Sequence, residues 1–247
     1  MEREIDSTRR DFARIASAAG LVSLGGLLLP AQAAQRRRQQ RGQTTGAARQ
    51  SRESEESVTP PEDLMREHGV LDRVLLIYEA VMRRFDAKED FDPAVITQSA
   101  EVIRDFIEDY HEKSEETQVF PRFIKANQQV NLVSVLQMQH RAGRGLTDTI
   151  LRLAQASRRG GDDRRQVVAS MQQFIAMYRP HAAHEDTDLF PKLRSVVSVN
   201  EYDAMAEQFE RDEHQLFGED GFEKMVANVA QIEKMIGIDD LSKFTPT

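Results

Sequence analysis

A block of eleven residues occurs twice in this chain, and that duplication constrains the fold more than any other feature. His111-Glu112-Lys113-Ser114-Glu115-Glu116-Thr117-Gln118-Val119-Phe120-Pro121 returns 70 residues later as His181-Ala182-Ala183-His184-Glu185-Asp186-Thr187-Asp188-Leu189-Phe190-Pro191. Both read H-x-x-x-E-[ED]-T-x-[VL]-F-P. One histidine precedes each block, His68 before the first and His140 before the second, 72 residues apart. A repeat of this kind implies two copies of one supersecondary unit that bury their apolar faces against each other.

The segments that carry the repeat have helical periodicity. Leu64, Leu71, Val74, Leu75, Tyr78 and Met82 form one stripe and predict a helix over about 61–85. Thr59-Pro60-Pro61-Glu62 opens it with a capping threonine, proline in the first position and glutamate in the third. Asp92-Pro93 opens a second helix that reaches about residue 124 through Ile96, Ile103, Phe106 and Ile107. A third covers about 131–157 and stops at Gly160-Gly161, and a fourth covers about 162–196. Ser198-Val199-Asn200-Glu201 is a capping box for a fifth. Beyond Gly218 a shorter helix carries Phe222, Met225, Val229, Ile232 and Met235. No segment alternates with period two. The expected class is all-α: an antiparallel four-helix bundle over 59–196, followed by a C-terminal helical extension over 197–247.

Residues four apart share a helix face, so His111 with Glu115, and His181 with Glu185, can each aim at one point. An antiparallel bundle brings such faces to a common interior, where metal sites are usually built. The candidate ligands are His68, His111, Glu115, His140, His181 and Glu185. Two carboxylates facing each other can bridge two cations, one keeping His68 and His111, the other His140 and His181. The chain has no cysteine, which excludes disulfides, iron–sulfur clusters and thiolate zinc sites. Mixed nitrogen and oxygen donors suit iron, manganese or zinc better than calcium or copper(I).

One histidine, then H-x-x-x-E-E with F-P, then a second histidine, then H-x-x-x-E-x with F-P, resembles the hemerythrin-like (HHE cation-binding) family over about 62–193. The resemblance implies a four-helix bundle holding two non-haem iron ions, with the six residues above as ligands. It also implies a small diatomic or peroxide partner: dioxygen, peroxide or nitric oxide. Oxygen-carrying hemerythrins bring two histidines four apart from the third helix. Here His140 stands alone, flanked by Leu136 and Arg144, which points away from reversible oxygen carriage and towards redox chemistry or iron handling. A ferritin-like reading needs two Glu-x-x-His motifs, and only Glu108 to His111 supplies one. The expected function is a diiron protein that binds or reduces a small oxidant. The alternatives are a non-enzymatic oxygen or iron sensor, store or carrier with the same ligands, and a purely structural bundle.

Residues 1–33 read as a twin-arginine-type signal. Thr8-Arg9-Arg10-Asp11-Phe12-Ala13-Arg14 precedes a mildly apolar run over 15–29 and the cleavage-type Ala31-Gln32-Ala33. Residues 34–58, rich in Arg, Gln, Gly, Ser and Thr, read as a disordered linker. The expected location is periplasmic or extracytoplasmic, with no stable membrane span after signal removal. That pathway carries folded proteins, so a metal site can be filled before export. A net charge of -8 argues against a nucleic-acid binder. Nothing in the sequence sets the oligomeric state.

Several further residues have expected roles. His184, matched by Ser114 in the other half, reads as supporting a ligand or facing solvent, and His214 as part of a solvated face. Glu116 and Asp186 either hydrogen-bond ligands or face water. Tyr110 and Tyr178 read as core filling. Phe120-Pro121 and Phe190-Pro191 read as packing the bundle end and kinking or ending their helices, and Pro180 as bending the fourth.

Overall fold

The computed structural model describes residues 58–246, and among these every element is helical or a connecting turn. The signal over 1–33 and all but the last residue of the linker over 34–58 lie outside the described residues. Helix α1 is Pro60–Ala87. Thr59 sits extended at its N-cap, yet its side chain makes no cap bond, contrary to the expectation. Pro60 and Pro61 bring no N–H, so the need for a cap is reduced to the Glu62 N–H. Helix α2 is a continuous run of five segments: α Ala94–Val102, π Ile103–His111, α Glu112–Ser114, π Glu115–Val119 and α Phe120–Lys125. At its start Ala94 N–H donates to Asp92 Oδ1 at 2.9 Å.

Helix α3 is Val130–Ser157. Helix α4 joins α Gly161–His184, π Glu185–Leu189, 3-10 Phe190–Lys192 and α Leu193–Val196. Helix α5, Val199–Phe217, begins with the expected capping box: Glu201 N–H donates to Ser198 Oγ at 3.3 Å and Ser198 N–H to Glu201 Oε2 at 3.0 Å. Helix α6 is Gly221–Ile236, and a 3-10 turn follows at Leu241–Phe244.

The two Phe-Pro pairs do not end their helices, which continue to Lys125 and Val196. Each proline is preceded by a widened turn, in which Phe120 N–H bonds Glu115 O and Phe190 N–H bonds Glu185 O. These bonds reach one residue further back than α-helical ones, and the shifted ladder admits a residue that has no N–H and a bulky ring. Thr117 and Thr187 hydroxyls donate to the carbonyls of Lys113 and Ala183 at 2.7 and 2.6 Å, beside the shift in register. Pro180 lies within α4 without interrupting it.

Up-and-down connectivity places the start of α1, the end of α2, the start of α3 and the end of α4 together. Leu64, Val119, Phe120, Phe123, Val133, Leu136, Leu189, Phe190 and Leu193 form one apolar cluster there, closed by Tyr202, Met205 and Phe209 of α5. Four residues further along each helix stand His68, Glu115, His140 and Glu185, all buried. Beyond this polar layer lies the main core, including Val74, Ile77, Tyr78, Phe106, Ile150 and Phe174. Val229, Ile232 and Ile236 bring α6 into that core, where it packs on α1 and α2. Arg73 of α1 clamps Glu233 of α6 with two bonds at 2.8 and 2.6 Å. Met235, expected on the apolar stripe, is exposed and Ile236 takes the inward position. Among the described residues, no helix is long and apolar enough to cross a membrane.

The C-terminal helices therefore complete the same core. Ile232→Ala should lower unfolding free energy by about 2–5 kcal/mol in urea titrations, as for other fully buried isoleucines. A loss well under about 1 kcal/mol would mean that α6 is only loosely attached.

Candidate metal centre

The structure brings all six candidate residues into one layer. They fall into two buried groups, His68, His111, Glu115 and Glu185, and Glu115, His140, His181 and Glu185, with the donor atoms of each group within 4.8 Å of one another. Both glutamates belong to both groups. His68 and His111 approach each other at 3.1 Å between Nε2 atoms, and His140 and His181 at 3.3 Å. Glu185 Oε2 lies 3.4 Å from His68 Nε2 and 3.0 Å from His181 Nε2. Glu115 Oε2 lies 3.8 Å from His111 Nε2 and 3.4 Å from His140 Nε2. Each carboxylate thus spans both histidine pairs, and every imidazole presents the same nitrogen to the centre.

What fixes that nitrogen is the acceptor on the far side of each ring. His68 Nδ1 lies 2.7 Å from Asp186 Oδ1 and His140 Nδ1 3.0 Å from Glu116 Oε1. His111 Nδ1 lies 2.6 Å from Glu67 Oε2 and His181 Nδ1 2.9 Å from Gln139 Oε1. Each ring thus spends Nδ1 on its outer carboxylate or amide oxygen, which leaves Nε2 as the nitrogen that faces the centre and would bind a cation once free of its proton. Glu116 and Asp186 therefore bond the histidines instead of merely facing water. The rings of Phe190 and Phe120 stack on His68 and His140 at centroid distances of 5.6 and 5.5 Å. Each lone histidine is thus held by the acidic residue and the phenylalanine of the opposite half's block.

Glu67 and Gln139 escaped the sequence reading. A signal for them exists, because the 72-residue offset that pairs His68 with His140 also pairs the residues before them. Tyr178 does more than fill core: its hydroxyl donates to Glu112 Oε1 at 2.5 Å. A Cβ on Gly143 would stand 2.1 Å from that hydroxyl, so only glycine leaves room for it. Arg144 holds Glu112 and Glu116 at 2.8 and 2.9 Å, while Leu136 lies in the apolar cluster, so neither flank of His140 adds a donor. Tyr110 packs in the core against Phe106 and Phe217. His184 is exposed and lies 2.9 Å from Asp188 Oδ2, outside both groups, and His214 is also exposed.

The donor set fits a pair of cations. Both oxygens of Glu115 and both of Glu185 are buried without a hydrogen-bond partner. Four such atoms in a protein interior are a large penalty unless something cationic satisfies them. With no cation, burial and repulsion by Glu185 push Glu115 well above the usual carboxylate range. Burial acts on Glu185 in the same sense, but His181 and His68 outweigh it and hold the group low. Burial would depress His68 and His140, yet Asp186 with Glu185, and Glu115 with Glu116, lift them to about 10. A cation binding at His68 and His140 would therefore compete with protons for Nε2.

The chain matches the family model described as the Hemerythrin HHE cation binding domain twice, over residues 59–193 and 131–236. An uncharacterized protein of Mycobacterium bovis is 48% identical over 196 residues, covering 79% of this chain and 77% of the relative. An uncharacterized protein of Mycobacterium tuberculosis matches to the same extent. No solved structure gives a significant match.

Two outcomes follow from the geometry. Gly143→Ala should destabilise the fold by more than about 1 kcal/mol, although alanine is the better helix former by about that amount. A gain in denaturation midpoint would refute the close approach of Tyr178. Glu115→Gln should leave the chelator-treated protein as stable as the parent or more so, because burial and Glu185 oppose a charge on Glu115 there, while abolishing the rise in melting temperature on adding Fe(II). An undiminished rise would remove Glu115 from the site.

Proposed function

The chain belongs to the hemerythrin HHE cation-binding family, and from that premise we propose that it is a non-haem diiron protein that binds or reduces a small oxidant outside the cytoplasm. Dioxygen, peroxide and nitric oxide are the candidate oxidants. The observation that carries this reading is the pair of buried carboxylates, Glu115 and Glu185, unpartnered at every oxygen and shared by two histidine pairs. In this reading His68 and His111 would hold one ion and His140 and His181 the other, with Glu115 and Glu185 available to both.

Bound there, iron supplies one-electron redox chemistry and open coordination positions for a small ligand. The protein's own share is orientation and exclusion of water. Asp186, Glu67, Glu116 and Gln139 keep the Nδ1 protons in place and so hold all four rings with Nε2 inward. Phe120 and Phe190, with the apolar cluster behind them, dry one side of the layer. On the other side Tyr178 holds its proton against Glu112 Oε1, and Arg144 neutralises charge beside His140. Two imidazoles and two shared carboxylates per ion leave room for an outside ligand. Manganese and zinc accept the same donors, so metal identity is the first thing to measure.

Export by a twin-arginine-type pathway is part of the proposal and rests on Arg9-Arg10 and Ala31-Gln32-Ala33. N-terminal sequencing of secreted protein should begin at Ala34, and a mature chain still carrying Arg9 would contradict export with cleavage. For the metal, mass spectrometry should find about two irons per chain, with a ligand-to-metal absorption band that shifts on adding azide. Turnover of peroxide or nitric oxide then separates an enzyme from a sensor, store or carrier. No iron, and no band after anaerobic Fe(II) addition, would overturn the diiron reading.

A further inference from the structure

The duplicated block gives both metal positions the same kinds of ligand, but the residues behind those ligands are not duplicated. At the first position His68 is backed by Asp186 at 2.7 Å and His111 by Glu67 at 2.6 Å. Among the described residues neither carboxylate forms an ion pair with a lysine or arginine. The neighbouring cation Arg66 is directed elsewhere, to Asp63 at 3.8 Å, to Glu223 at 3.6 Å and over the ring of Phe222. At the second position His181 is backed by the neutral amide of Gln139. His140 faces Glu116 at 3.0 Å and Glu112 at 3.9 Å, and both carboxylates share the guanidinium of Arg144. The residue that matches Arg144 at the 72-residue offset is Asp72, which is exposed.

The charge ledger is therefore unequal. Behind the first pair of imidazoles stand two carboxylates that form no ion pair with a lysine or arginine, Asp186 and the buried Glu67, which burial pushes up to about 8 against the pull of the Tyr110 hydroxyl. Behind the second stand two carboxylates, one guanidinium and an amide. A carboxylate behind a ligating imidazole can take up negative charge as a cation binds and makes the ring a stronger donor than a neutral amide in the same place does. We propose that the two metal positions are inequivalent, that the His68/His111 position is the tighter and fills first, and that Glu67 against Gln139 is the main determinant of the difference. The inference rests on the diiron reading for the existence of two positions, and goes beyond it by ranking them.

Outer partners of this type change metal affinity by about 10- to 100-fold. The test is a titration of the chelator-stripped full chain with Zn(II), followed by calorimetry and by NMR of the histidine ring nitrogens. Below one equivalent, the His68 and His111 resonances should shift while those of His140 and His181 stay in place. The calorimetric trace should show two phases separated by about 10-fold or more in affinity. Glu67→Gln, isosteric and matching the second half, should weaken the first phase and merge it with the second. Gln139→Glu should tighten the second phase alone. Both histidine pairs shifting in step, or His140 and His181 shifting first, would overturn the ranking while leaving the diiron reading intact. No Zn(II) or Fe(II) bound at all would overturn both.

Discussion

Glu115 and Glu185 lie with no accessible surface between four imidazoles, and much of the structure can be understood as what is needed to keep them there. A polar layer inside a bundle opposes folding unless its charges are compensated. Here compensation is arranged at two depths. Imidazoles from all four bundle helices surround the carboxylates, and a second ring of acceptors fixes the protons of those imidazoles on their outer nitrogens. The donor lone pairs that result all converge on the centre. Apolar clusters above and below confine the layer to one level of the bundle.

The block's spacing explains how one sequence unit serves two purposes. Its histidine and first glutamate face the centre of the layer, four residues apart. Its next acidic residue and its phenylalanine reach across to the lone histidine of the other half. The widened turn between them lets the helix continue past proline, and the threonine hydroxyl occupies a carbonyl beside that turn. Each half therefore cannot complete its own histidine environment, which ties the two helix pairs together at the site itself. Where the halves diverge, at Glu67 against Gln139 and at Arg144 against Asp72, the divergence is in charge and lies outside the ligand set.

Much of this was legible in the sequence. Periodicity located the helices because each has an apolar face, and the repeat identified the six residues that the fold brings together. Three things were not legible. The helical continuation through Pro121 and Pro191 depends on a π-type ladder, which leaves no trace in side-chain periodicity at that length. The role of Tyr178 depends on how close α3 and α4 approach at Gly143, a packing distance with no sequence signature. The place of α6 in the main core was hidden because its amphipathic stripe does not say which face of the bundle it covers; Ile236 and not Met235 turned out to face inward. Thr59 makes no side-chain cap bond, and Pro60 and Pro61 leave Glu62 N–H as the one first-turn donor it could have served.

The central proposal is that this single layer would hold two metal ions, with Glu115 and Glu185 shared by both. Anomalous diffraction at the iron edge from crystals of the iron-loaded chain tests it most directly. The account predicts two peaks about 3.5–4 Å apart, one beside His68 and His111, the other beside His140 and His181, with both glutamates reaching each. A single peak, or iron found only at surface carboxylates with the layer left unchanged, would contradict it.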